Sequence, residues 1–188
     1  MPYVRRGGHA RNPLGDLITW SEAEGERGTR WREAIERDGR LTRSLLLEAS
    51  TDGRPTRLEM TTQAGLLTLH PERDQSALHG NVVTPDGIRH LAFAWSPEHE
   101  LFVVASPASA TIGIRRLARS MVVGAAATVD LVHVDDELEP GPARWRVGRI
   151  GTHGWHLQDV AGTEERRFTV ADDGRPILLD EVSWPLET

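Results

Sequence analysis

The sequence predicts a mainly β, single-domain antiparallel β-roll or barrel, and three observations predict it. Asp-Gly pairs at Asp38-Gly39, Asp52-Gly53, Asp86-Gly87 and Asp173-Gly174 stand between apolar runs. Asp-Gly tolerates the positive φ values of tight hairpin turns, so each pair marks a candidate hairpin. Apolar residues recur with period two: over residues 88–95, Leu91, Phe93 and Trp95 share one face and His90, Ala92 and Ala94 the other. Such runs return roughly every 8–12 residues, the spacing of β-sandwiches and barrels.

The elements follow in order. Residues 1–15 are rich in Gly, Pro, Arg and Asn and read as a flexible N-terminal arm; residues 16–188 are assigned to the one β-roll domain. A short apolar segment at 17–20 opens it, and a polar loop follows at 22–28. Residues 29–37 are expected to pair with 41–49, and that strand with 56–62. The stretch 31–37 also has good helix formers, but an Asp-Gly pair and an apolar run directly after it favour a strand. Residues 66–70, 77–83 and 88–95 are further strands.

The stretch 101–134 anchors the chain: an apolar strand, a small-residue turn (105–110), a paired-arginine segment and one long strand over 121–134. Small residues at Gly124, Ala125, Ala126 and Ala127 predict close approach by another layer or a ligand, with Gly124 at a bulge or bend. The acidic loop DDELEPGP at 135–142 precedes closing strands at 143–150, 155–160, 166–171 and 176–186. The total is about a dozen short strands, folded around an apolar cavity.

Composition excludes whole classes of chemistry. The 188-residue chain has no cysteine, so disulfides, zinc-thiolate sites and thiol nucleophiles are out of reach. It has no lysine either, which removes Schiff-base chemistry and the P-loop lysine. A net charge of −6 argues against nucleic acid as a partner. No apolar run reaches the ~18 residues of a membrane span, so no integral membrane association is expected. The N-terminal stretch has no apolar core of a secretory signal, and a cytoplasmic location follows as the expectation.

Ser106 to Leu117, SPASATIGIRRL, resembles the Ser/Thr-Pro, small-residue, Ile-Arg-Arg-Leu stretch of a bacterial family described as glycolipid-binding. Residues 144–158 and 168–184, with Asp173-Gly174, Ile177-Leu178-Leu179 and Trp184-Pro185, resemble its closing strands. The likeness covers residues 95–185, about half of the chain. It departs at Ala110-Thr111-Ile112-Gly113, where the family often carries Asn-Thr-Leu-Pro. The resemblance implies a spiral β-roll and, secondarily, a lipid-like ligand.

Candidate ligand-binding residues are Arg115, Arg116, His90, Asp130, His133, Trp95, Trp145 and Trp155. On a strand, adjacent Arg115 and Arg116 point to opposite faces, so one looks inward, toward an anionic head group or a structural carboxylate. Asp130 and His133 lie on opposite faces of their strand, and His90 is placed to meet either across the sheet. Trp95, Trp145, Trp155 and Trp184 are core residues by default, or a flat wall for a ring or polyene. His153 and His156 lack the helix that would make their spacing metal-binding, and the acidic loop lacks EF-hand spacing, so no metal and no cofactor are expected. No nucleophile elbow, His-Glu-x-x-His or dinucleotide fingerprint is present, and no catalytic residue is assigned.

Three functions fit these residues. The first is binding of an amphipathic small molecule, glycolipid- or lipid-like, in the cavity. The second is an enzyme, a cyclase or isomerase that holds one conformer of a hydrophobic intermediate in the same hollow. The third is an interaction protein that docks a partner on a sheet edge or on the acidic loop. A homodimer is compatible with each.

Overall fold

The computed structural model describes residues 4–12, 14–162, 164–172, 176–179 and 182–183. Strands β1 (Val4–Arg11), β2 (Leu17–Gly25), β3 (Gly28–Arg37), β4 (Arg40–Ala49), β5 (Pro55–Thr62), β6 (Gly65–Pro71), β7 (Ala77–Thr84) and β8 (Gly87–Ala94) form an eight-stranded antiparallel meander. Then come β9 (Glu100–Val103), helix α1 (Pro107–Leu117), β10 (Ala126–Val134), β11 (Gly141–Arg149), β12 (Gly154–Asp159), β13 (Glu165–Val170), β14 (Pro176–Leu179) and β15 (Val182–Ser183). The last seven strands make a second sheet in the order β15-β14-β13-β12-β11-β10-β9. The mainly β roll expected from the sequence is present.

Turn chemistry sets the hairpins. Asp38 and Gly39 have φ of 50° and 73°, the left-handed pair that closes β3 onto β4. Gly53 and Gly87 also have positive φ. Asp173-Gly174 and Trp184 lie outside the described residues. Residues 31–37 belong to β3, as a strand. The interior follows from alternation: Trp31 and Ile35 on β3, Leu45 and Leu47 on β4, Leu58 and Met60 on β5, and Leu67 and Leu69 on β6 are all buried.

Four expectations are corrected. Residues 4–11, read as part of a flexible arm, form β1, paired with β2 from Val4↔Glu24 to Arg11↔Leu17. The paired-arginine segment is helical: Ser106 caps the N-terminus of α1, Pro107 follows it, and Arg115 and Arg116 occupy the last turn. The strand read over 121–134 begins only at Ala126; a turn occupies the positions before it. Gly124 is there for its φ of 87°, and a Cβ on it would meet nothing within 4 Å, so close approach is not its reason. Finally, β9 and β10 run parallel, from Leu131↔Glu100 to Val134↔Val103. Parallel neighbours need a crossover, and α1 supplies it.

Candidate functional site

Helix α1 is the hub of the molecule's buried charge. It spans the concave face of the second sheet, where Ile114 and Leu117 pack with Phe102, Val129, Leu131, Val147, Leu157 and Phe168. The apolar hollow expected from the sequence is therefore largely filled. What remains is a slot of about 30 Å³, also lined by Glu100 and Gly113.

Three buried glutamates hold the helix. Glu33 of β3 accepts from Ser106 Oγ at 2.9 Å and from the Ala108 N–H at 2.7 Å, at the positive end of the helix dipole. Burial nevertheless pushes the Glu33 carboxyl above the ordinary range, against the pull of the Arg43 charge and these two bonds. Arg43 donates to the carbonyls of Val104 (2.9 Å) and Ala105 (3.3 Å) and to Asp136 Oδ1 (3.0 Å). Ala105 sits at φ 52°, and that grip holds the strained turn from β9 into α1.

At the other end of α1, Arg115 pairs with buried Glu22 of β2. Arg116 Nε donates to Glu100 Oε1 at 2.7 Å, and its Nη atoms donate to the carbonyls of Pro97 (2.6 Å) and Glu98 (2.7 Å). Burial pushes the Glu100 carboxyl up to about 7, although the Arg116 charge and hydrogen bond oppose it. Both arginines are thus tied to glutamates that the sequence reading did not single out. On a helix they lie side by side at one end, not on opposite faces of a sheet.

Two clefts flank this end of α1. One, of about 210 Å³, is lined by Ile114, Arg115, Arg149, His153, Trp155 and Asp172 among others. Arg149 lies over the Trp155 ring at 5.4 Å and donates to the Met121 carbonyl at 2.7 Å. The other, of about 410 Å³, is lined by Arg6, Arg115 and Arg119 with Thr29, Ser50 and Thr51, and by one acid, Glu24. Arg115 belongs to both clefts, and Ile114 belongs to both the first cleft and the apolar slot. A larger hollow of about 590 Å³ lies over the solvent face of the first sheet, around Thr19, Ser21, Arg32 and Ser44. It is an open saddle on the far side of the sheet from α1, although Glu33 is among the residues that line it, and the α1 clefts, which Arg115 and Arg149 line, are the better candidate.

The other expected residues are dispersed. His133 and Trp145 do meet: their rings stack at 6.2 Å, with Phe102 against both. The His133 Nε2 is buried without a hydrogen-bond partner. His90 is on the solvent face of β8, bonded to Asn81 at 2.6 Å, and Asp130 pairs with Arg144 at 2.6 Å. Neither comes near the clefts around α1. Trp95 is buried at the end of β8, edge-on to His99 at 5.4 Å. Among the described residues no group of three side chains is arranged to hold a metal ion, and no helix is long and apolar enough to cross a membrane.

Sequence offered one signal for the missed glutamates. Trp20 and Glu22, and Trp31 and Glu33, are spaced two apart on their strands, so each acid points inward with its tryptophan. The two rings stack at 5.2 Å inside the sheet.

No family model matches the chain. No curated protein matches it either. A crystal structure of a DUF1089-family protein from Pseudomonas aeruginosa is similar over 98% of this chain and 90% of that one, at a TM-score of 0.57 and 17% identity. At that identity the likeness is one of fold alone: the chain has the β-rich architecture of that DUF1089-family structure.

Proposed function

We propose that the protein binds an amphipathic small molecule with an anionic head group, lipid- or glycolipid-like, with its head among Arg115, Arg149 and Arg119 and its apolar part beneath α1. The carrying observation is continuity: Ile114 joins the apolar slot to the cleft of Arg149 and Trp155, and Arg115 joins that cleft to the one of Arg6 and Arg119. Guanidinium groups hold phosphate or carboxylate by paired, charge-assisted bonds, and an adjoining apolar slot takes the chain. At about 30 Å³ the slot admits no tail as it stands, so occupancy requires α1 to lift from the second sheet.

Tryptophan fluorescence during titration with dodecyl phosphate and, in parallel, with dodecyl maltoside tests this reading. Saturable binding of the phosphate below its micellar concentration is expected, with the neutral detergent weaker. Arg149→Gln is expected to weaken the phosphate by ~10-fold, the loss of one charge-assisted contact. No saturable binding of either amphiphile overturns the reading.

One observation favours an enzyme as the second reading. Glu100 stands in the wall of an apolar slot and keeps its proton up to about 7, the property a general acid or base needs near neutral pH. Turnover of a hydrophobic substrate lost in Glu100→Gln, with binding retained, distinguishes the two.

A further inference from the structure

The two edges of the eight-stranded sheet are unlike. Edge strand β1, VRRGGHAR, carries Arg5, Arg6, His9 and Arg11, and it lies beside β15. Arginines and glycines along an edge discourage another strand from adding there. Edge strand β8, GIRHLAFA, has no proline, no bulge and one formal charge, Arg89. Among the described residues its backbone hydrogen-bonds to no strand except β7.

An apolar row runs out to this open edge on the solvent face. Leu66 pairs across with Val83, and Val83 with Ile88. Exposure rises along the row, 37%, 39% and 64%, so the most exposed side chain stands at the edge itself. Singly exposed apolar residues are ordinary; a row in cross-strand contact that ends at an unpaired backbone is an interface feature.

We infer that β8 pairs antiparallel with β8 of a second copy of this chain, joining the two meanders into one continuous sheet across a two-fold axis. The strand's own sequence selects that occupant. With the axis at Leu91, residues 88–94 overlap fully, and opposed residues share a face. Ile88 then lies opposite Ala94 of the second copy, His90 opposite Ala92, and Arg89 opposite Phe93. Large side chains face small ones on the solvent side; on the other, Arg89, whose guanidinium is held by Glu139 (2.9 Å) and the Leu138 carbonyl of its own chain, stands opposite Phe93 without a like charge. No like charges oppose each other. An axis through His90 would set the two imidazoles against each other, and one through Ala92 would shorten the overlap. Because Ala94 pairs with Ala77, the apolar row continues through Ala94 and Ala77 of the second copy.

Sedimentation velocity across a range from ~1 to ~200 µM, spanning weak to firm self-association, reads the oligomeric state. A reversible dimer is expected. Ala92→Lys puts a cation opposite His90 of the other copy and is expected to weaken the dimer at least ~10-fold, with an unchanged circular dichroism spectrum. The register is read separately with His90→Cys and Ala92→Cys, each alone and the two combined; the chain has no cysteine of its own, so an oxidised covalent dimer formed by the combined variant and by neither single variant reports this pair. A monomer throughout the range overturns the inference. So does a dimer that is insensitive to Ala92→Lys and gives no covalent product with the paired cysteines.

Discussion

Between β5 and β8 the interior of the first sheet is filled by Leu58, Met60, Leu67, Leu69, Leu78, Val82 and Leu91, all buried and none carrying a side-chain polar atom. The bed of α1 is built from other material: Glu22, Glu33, Arg43 and Glu100 are buried there, with Arg115 and Arg116 reaching in from the helix. Aliphatic packing is non-directional and tolerates small shifts, so it stabilises the meander without fixing one geometry. Buried ion pairs cost desolvation that their attraction only partly offsets, but they accept few arrangements. The difference teaches where position matters: the helix is docked with specificity, and the meander supplies the stability that allows it.

The largest break in that contrast comes from Arg43→Leu. It leaves the buried Glu33 without its counter-charge and frees the Val104 and Ala105 carbonyls. A loss of about 3–5 kcal/mol is expected in urea unfolding at neutral pH. Adding Glu33→Gln is expected to recover part of it, because the uncompensated charge goes; a double-mutant cycle measures the coupling. In the aliphatic region, Leu67→Ala removes a fully buried side chain and is expected to cost about 3 kcal/mol with no coupling to either residue.

The pH dependence sharpens the comparison, since among the described residues it is the bed of α1 that contains a buried acid titrating near neutrality. Folded Glu100 holds its proton up to about 7, whereas the unfolded group releases it near the ordinary 4.5. The folded state therefore binds more protons between those values, and stability is full below 4.5 and falls as pH rises through 7. The displacement corresponds to roughly 3 kcal/mol, and Glu33, also raised, adds in the same direction. Asp16, held low by its hydrogen bond to Arg37, acts with the opposite sign and below this window. Urea midpoints from pH 5 to 8 are expected to decline in the wild type and to decline less steeply in Glu100→Gln, where Glu33 remains; an equal slope in both removes Glu100 as the cause.

Much of the meander was legible because period-two alternation and Asp-Gly turns act locally. The pairing of residues 29–37 with 41–49, and of 41–49 with 56–62, is present in the β3–β4 and β4–β5 ladders. Helix α1 was misread because Thr111, Ile112 and Ile114 are β-branched and Gly113 is a poor helix former. Tertiary contacts override those preferences: the helix forms on Glu33 and the second sheet, and only its Ser-Pro start and paired arginines announced it. The buried acids escaped notice for a related reason. A glutamate in a strand reads as solvent-facing unless its phase is checked against an inward tryptophan, as for Trp20 with Glu22 and Trp31 with Glu33. Glu100 gave no such signal, because β9 is buried along its whole length and carries no alternation.

The smallest effect isolates burial as the operative variable. Asp130 and Arg144 form an ion pair at 2.6 Å, as short as many on α1, yet Arg144 is largely in solvent and Asp130 half-exposed on the outer face of β10 and β11. Water screens such a pair and already solvates both charges, so removing one partner strands nothing in a dry interior. Arg144→Ala is expected to leave the urea midpoint and its pH dependence at the wild-type values. A shift as large as that of Arg43→Leu would mean that pairing distance, and not the surroundings of the pair, governs charge in this fold. The contrast between the two regions would then be lost, because the bed of α1 would be unusual only in having more pairs.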